Sequence, residues 1–367
     1  MSWYAINNID TIDTPALAVY KQRVQDNIDR AISMIKDVSK LRPHVKTNKM
    51  SEVCKMMMDA GITKFKCATI AEAEMLAILQ AKDVLLAYQP VGPKAKRFLQ
   101  LVLQYPQTAF SCLIDNIESA IYLSGIFSEK YISADIFFDI NTGMNRTGIK
   151  PADAVQLLKQ IQSMPNINFI GLHGYDGHIR DTNVDERQHK SDGAFSKLIA
   201  LTNDIEEAVQ HPIKIIVGGS PTFPTHINRQ YVECSPGTFI FWDWGYKHTM
   251  PDEPFDYAAL VITRVISIVD EHTITLDLGH KSVAAENALT NRVFFLNEPG
   301  ATAVGQSEEH LVLEVGDSSK HTIGDVWYGV PVHICPTVAL YDKAVVVENN
   351  EAIDKWKVAA RDRSINI

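Results

Sequence analysis

Residues 41–76, LRPHVKTNKMSEVCKMMMDAGITKFKCATIAEAEML, carry two beats of a strand and helix rhythm that decides the fold. Leu41 to Thr47 is a short alternating run, and Ser51 opens a helical stretch that closes near Gly61. Phe65 to Ala68 is strand-like again. Thr69-Ile-Ala-Glu72 then has the spacing of a capping box, in which a hydroxyl and a carboxylate satisfy the free amides of a helix start. An Ala- and Leu-rich helix follows.

The rhythm extends in both directions. Residues 22–40 place Val24, Ile28, Ile32, Ile35 and Val38 on one face at helical spacing. Downstream, Val84–Tyr88, Phe110–Ile114, Ile136–Ile140, Phe169–His173, Ile213–Val217 and Val232–Phe241 read as strands. Helical windows such as 92–105, 151–163 and 182–209 lie between them. With Leu41–Thr47 as the first, eight strands alternate with helices. Such alternation implies parallel pairing and right-handed crossovers. Eight units over roughly 230 residues fit a (β/α)8 TIM-type barrel better than an open doubly wound sheet. No GxGxxG follows the first strand, so a Rossmann site is not indicated.

After Pro251 the rhythm changes. Ala258–Asp270, His272–Leu278, Arg292–Leu296, His310–Val315, Asp325–Cys335 and Lys343–Val347 are β-rich and joined by Gly, Asn and Asp turns. The expected architecture is α/β, a barrel over 14–247 followed by a C-terminal all-β domain over 248–367 that also takes residues 1–13.

Composition narrows the function. At 367 residues, 46% hydrophobic and 22% charged, the chain is an ordinary globular protein rather than a disordered or collagen-like one. A net charge of −9 without a Lys/Arg cluster argues against nucleic acid. No apolar run reaches the roughly 18 residues of a membrane span. The first stretch, MSWYAINNID, lacks the basic start and apolar core of a signal peptide. Five cysteines without a CxxC pair read as reduced thiols, so a cytoplasmic location is expected.

In a barrel, residues just past the strands' C-terminal ends line the active-site mouth. Those positions hold Lys46, the run Asp139 to Gly148 with Arg146, the run His173 to His178, Gly218-Gly219-Ser220 and Pro236-Gly237-Thr238. Gly-Gly-Ser alone is more often a plain turn. Paired with Gly237 and Thr238 on the adjacent strand, Gly219 and Ser220 offer the close backbone approach and N–H donors that a phosphate needs. A strand-end lysine beside such a cradle suggests Lys46 as a Schiff-base lysine for pyridoxal phosphate (PLP). Arg42, His44 and Arg146 are candidate neighbours that would lower its pKa. His333 and Cys335 end a β-rich run at spacing i, i+2, so in a strand both face one way and can share a metal ion. His-x-Cys is common, and a buried free cysteine beside a surface histidine is the more frequent explanation of such a pair. As a metal site, imidazole plus thiolate favours zinc.

Five of these motifs, in order, resemble the metal-activated PLP enzymes grouped as D-threonine aldolases and D-serine dehydratases, relatives of alanine racemase. They are Arg42-Pro-His-Val-Lys-Thr, Asp139 through Gly148, Tyr175-Asp-Gly-His178, Gly218-Gly-Ser-Pro-Thr and His333-Ile-Cys-Pro-Thr. The resemblance implies Lys46 as the PLP lysine, Arg146 and Tyr175 as cofactor neighbours, and Gly219, Ser220, Gly237 and Thr238 as phosphate contacts. It also implies His333 and Cys335 as ligands of a divalent metal, zinc, manganese or magnesium, and His178 near the substrate's β-hydroxyl. Asn48 stands where the family has histidine. The activity implied is cleavage of a D-3-hydroxy amino acid to glycine and an aldehyde, by a homodimer. D-serine dehydration to pyruvate and ammonia is the alternative. An amino-acid racemase or a non-catalytic PLP-binding protein is more distant.

Overall fold

The computed structural model describes residues 2–367. The first strand, Ala16–Tyr20 (β1), is buried at all five positions. A second run of strands makes one parallel sheet: Lys64–Cys67 (β2), Asp83–Leu86 (β3), Ala109–Ile114 (β4), Ala134–Ile140 (β5), Ile167–Gly174 (β6), Lys214–Val217 (β7) and Val232–Cys234 (β8). Their spatial order is their chain order, β2 to β8, and every neighbouring pair is parallel. Helices Ile70–Ile78, Pro93–Gln104, Ile117–Ser128, Pro151–Ile161 and Val184–Val209 form the crossovers. The first of these starts at the expected cap. Thr69 Oγ1 accepts from the Glu72 amide at 3.1 Å, while the Glu72 carboxylate reaches one residue further back, to the Ala68 amide at 2.6 Å.

The expected first strand is not a ladder. Leu41 bridges Cys234 of β8, and His44 bridges Lys66 of β2. The Arg42 and His44 amides donate to Cys234 and Pro236 carbonyls, and the Val45 amide donates to Lys66, each at 2.9 Å. This segment therefore joins the two edges of the seven-stranded sheet and stands in the eighth position. Pro43, which has no N–H to give, accepts from the Lys66 amide through its carbonyl.

Strand register shows what fills the lumen. Leu113 pairs with Phe137, and two residues on, Asp139 pairs with His173, which pairs with Ile216. Register partners and i, i+2 residues share a face. Leu85, Leu113, Phe137 and Ile216 form one buried cluster, and Asp139 and His173 belong to the same face at the strands' C-terminal ends.

Arg42 turns away from that end. Its guanidinium is fully buried, bonded to both Asp83 oxygens at 2.7 and 2.9 Å and to Glu233 at 2.6 Å. It is a structural clamp rather than the neighbour expected to tune Lys46. Removing one partner of a buried ion network leaves the others uncompensated. Arg42→Met is expected to lower unfolding stability by about 3–5 kcal/mol, measured by urea denaturation. A loss under about 1 kcal/mol would place it among ordinary surface substitutions.

The β-rich region comprises Ala259–Ile268 (β9), Thr273–Leu276 (β10), Val293–Phe295 (β11), Thr302–Gln306 (β12), Leu311–Glu314 (β13), Val326–Pro331 (β14), Lys343–Glu348 (β15) and Glu351–Lys357 (β16). β1, which periodicity alone attaches to the barrel, is inserted here, antiparallel to β9 and parallel to β15. β9 is apolar on both faces because both are covered. Leu260 and Ile262 join one cluster with Ala18, Tyr328 and Val345, and Val261 and Val265 join another with Ile274, Leu313 and Trp327.

By contacts the chain divides into two compact units. One holds Ala31–Lys46, Cys54–Gly237 and Asp362–Ile367, and the other the residues up to Arg30, Thr47–Val53 and Thr238–Arg361. No helix among the described residues is long and apolar enough to cross a membrane.

Candidate active site

In the barrel unit, Lys46 is half-buried at the end of the bridging segment, its amide 3.3 Å from His44 Nδ1. Lys66 on β2 lies beneath, fully desolvated. Burial and the charge of Lys46 pull its pKa down to about 7. Its Nζ is 3.4 Å from His173 Nε2, and His173 Nδ1 is 2.8 Å from Asp139 Oδ1. The other Asp139 oxygen accepts from Thr147 at 2.8 Å and Gln89 at 3.2 Å. Burial pushes the Asp139 carboxyl up, but these bonds outweigh it and hold it below the ordinary carboxylate range. Burial and Lys66 lower the His173 imidazole, so it is neutral, donating from Nδ1 and accepting at Nε2.

Tyr175 occupies a slot made by two glycines. A Cβ on Gly177 would lie 2.1 Å from the Tyr175 hydroxyl, and one on Gly219 2.9 Å from its ring. The Arg146 guanidinium carbon is 5.1 Å from the ring centroid. Asp139, Thr142, Arg146, Thr147 and Tyr175 line one cavity. His178 is exposed, its imidazole held over Gly143, where a Cβ would come within 3.0 Å of Nε2.

The expected phosphate turns are tied together. The Gly237 amide donates to Ser220 Oγ at 3.1 Å. Gly218, at φ +77°, turns the chain into Gly219, where a left-handed conformation favours glycine. Underneath, the Thr222 hydroxyl donates to Asp176 at 2.6 Å, and His226 Nε2 lies 2.8 Å from the other Asp176 oxygen. Burial raises the Asp176 carboxyl, and the His226 and Thr222 bonds outweigh it, leaving a buried carboxylate as the base of the turn.

The second unit holds the other expected residues. His333 does not end a strand. β14 stops at Pro331, and His333 caps the short helix Ile334–Val338, which places Cys335 in its first turn. The i, i+2 strand argument therefore fails, yet the two side chains still meet through the helix turn. Burial lowers His333, but its hydrogen bond and charge interaction with Cys335 and the bond to Glu286 lift it to about 9. Glu286 Oε1 is 2.5 Å from His333 Nδ1. Cys335 Sγ is 3.1 Å from the Thr47 hydroxyl and 3.6 Å from the Thr238 hydroxyl. Asp243 accepts from the Ile334 and Tyr246 amides, pinning the turn. Among the described residues no three His, Cys, Asp or Glu side chains converge as an ion cage.

Asn48 is buried and accepts from the Met50 amide at 3.0 Å. Lys66, His226 and Glu286 were not singled out by sequence reasoning, and His173 and Asp176 entered only as members of the run His173 to His178, without roles of their own. A sequence signal for His173 was present, since a polar residue at an inward strand position among apolar neighbours needs a partner.

Residues 19–243 match the family model of the alanine racemase N-terminal domain, and 258–347 that of the serine dehydratase domain. The chain is 27% identical to D-threonine aldolase from Arthrobacter sp, over 95% of this chain and 93% of that protein. It is 25% identical to 3-hydroxy-D-aspartate aldolase from Paracoccus denitrificans (strain Pd 1222), over 92% and 90%. Its fold superposes on the crystal structure of D-threonine aldolase from Filomicrobium marinum with a TM-score of 0.87, 25% identity and 96% of each chain covered.

Proposed function

Because the chain belongs to the alanine racemase N-terminal domain family, we propose that it is a PLP- and metal-dependent lyase acting on D-3-hydroxy amino acids, an aldolase of the D-threonine type. PLP supplies an aldehyde for a lysine amine and an electron sink for charge developing at the substrate's Cα. The chain's own groups fit it. Lys46 is the amine, Gly219, Ser220, Gly237 and Thr238 the phosphate contacts, and Arg146 and Tyr175 the flanking side chains. The observation that carries the reading is the tie between Ser220 and Gly237, which holds two glycine turns in the same unit as Lys46.

His333 and Cys335 are the proposed ligands of a divalent cation, whose Lewis acidity would lower the pKa of the substrate's β-hydroxyl. The thiolate favours zinc, ahead of manganese or magnesium. Two protein ligands leave positions for water and the substrate oxygen. His178 would take the hydroxyl proton as the Cα–Cβ bond opens, a proton would then be returned to Cα, and glycine and an aldehyde would leave. Glu286 accepts from His333 Nδ1, which would leave Nε2 for an ion. Glu286→Gln is expected to weaken zinc binding about 10–100-fold in competition with a chromophoric chelator. Unchanged affinity would make the contact incidental.

The serine dehydratase match over 258–347 favours one second reading. There Lys46 would remove the Cα proton, the β-hydroxyl would take a proton and leave as water, and hydrolysis of the resulting enamine by water would give pyruvate and ammonia. The protein given D-threonine and D-serine side by side separates the two. Glycine with acetaldehyde supports the aldolase, pyruvate alone the dehydratase, and neither product from either substrate removes both. The proposed assembly is a homodimer, checked by light scattering.

A further inference from the structure

Lys66 has no part in the reaction above, yet its environment is built for a ligand. The side chain is on β2, in a residue 2% exposed, and an ammonium offers three donors. Among the described residues its hydrogen-bond partner is His173 Nε2, at a long 3.4 Å. His173 is neutral and fixed by Asp139, so it orients the amine without cancelling its charge.

Other charges face the amine from several elements. Lys46 lies on the bridging segment, Asp139 on β5 and Asp176 in the loop after β6, and the charge of Arg42, although its guanidinium is turned toward Asp83 and Glu233, also acts on the amine. The Tyr175 ring centroid is 5.6 Å away. Both carboxylates are engaged elsewhere, Asp139 with His173, Thr147 and Gln89, and Asp176 with Thr222 and His226. A buried cation with one long, neutral contact is costly unless an anion completes it. Its pKa near 7 leaves it ready to hold its proton when that anion arrives.

Resting on the cofactor reading above, the geometry points to Lys66 as the cation that receives an anionic oxygen of the molecules bound at Lys46. That oxygen is either the cofactor's phenolic oxygen or the substrate's carboxylate. Lys66 is thus a binding residue, distinct from the amine that attaches the cofactor.

The test compares wild type, Lys66→Met and Lys66→Arg. One arm measures loading with PLP and with its 3-O-methyl ether by equilibrium dialysis. A second measures binding of D-serine and of ethanolamine, which lacks the carboxylate, to the loaded protein by spectral shift. Lys66→Met should lose at least about tenfold for PLP and nothing for the ether, or the same for D-serine and nothing for ethanolamine. The first result assigns the phenolic oxygen and the second the carboxylate. Lys66→Arg should keep the wild-type preference. Equal losses within each pair, or no loss at all, overturn the assignment. Should Lys66→Met fail to fold, Lys66→Gln keeps a contact to His173, removes the charge and carries the same comparison. Borohydride reduction and peptide mass spectrometry separate the two failures. No cofactor on the Lys46 peptide sinks the cofactor reading, whereas a Lys46 adduct with unchanged affinities sinks Lys66 alone.

Discussion

Lys46→Ala is expected to yield a folded protein without covalently attached PLP and without the visible absorbance that attachment gives. Lys46 is half-buried at the end of the bridging segment, and the clamps of the barrel lie elsewhere, on Arg42, Asp83 and Glu233. The thermal midpoint should therefore stay near wild type, while turnover of D-threonine falls at least about 10³-fold. The loss should not be rescued by Lys46→Arg, because a guanidinium stays protonated and is no nucleophile. Free PLP would still meet the glycine turns, so weak non-covalent binding should survive. A variant that keeps the absorbance, or a reduced adduct mapped to another lysine, would take Lys46 out of its role. Lys66 is the amine to examine in that case, since its pKa near 7 leaves much of it unprotonated at neutral pH.

The repeat of strands and helices was legible because a period of two alternates with one of 3.6, and eight beats exclude most other architectures. Its first beat was legible as extended chain but not as a bridge. That distinction depends on Cys234 and Lys66, which are the edges Leu41 and His44 meet. ALAVY of β1 carries no mark of which sheet it enters, since a strand buried on both faces has no polar side to orient it. The pair His333 and Cys335 was singled out by spacing, and its nearness holds for a different reason, a helix cap rather than a pleat. The Lys66–His173–Asp139 relay was out of reach. Its members lie 107 and 34 residues apart, and only strand register brings them together. Asn48 shows the opposite limit. The sequence marks a missing histidine, while the structure shows its amide oxygen spent on closing a local turn.

Stripping divalent ions should silence the lyase while leaving the PLP absorbance intact, and this is the second large effect expected. The Cys335 sulfur lies among the Thr47 and Thr238 hydroxyls and His333, all in one unit. Hydroxyl donors and an imidazolium stabilise a thiolate, and a thiolate beside an imidazole is a soft donor set that selects zinc. Loss of a Lewis acid from the β-hydroxyl removes several kcal/mol of stabilisation, so turnover should fall about 100-fold or more. Zinc should restore it at lower concentration than magnesium. Cys335→Ala should reproduce the chelated state and respond poorly to added zinc, whereas Cys335→Asp, an oxygen donor, should shift the preference toward manganese or magnesium. Full turnover in chelator, with the ion absent by elemental analysis, would reduce His333 and Cys335 to a hydrogen-bonded pair. The proton on the β-hydroxyl would then have to leave through His178 alone.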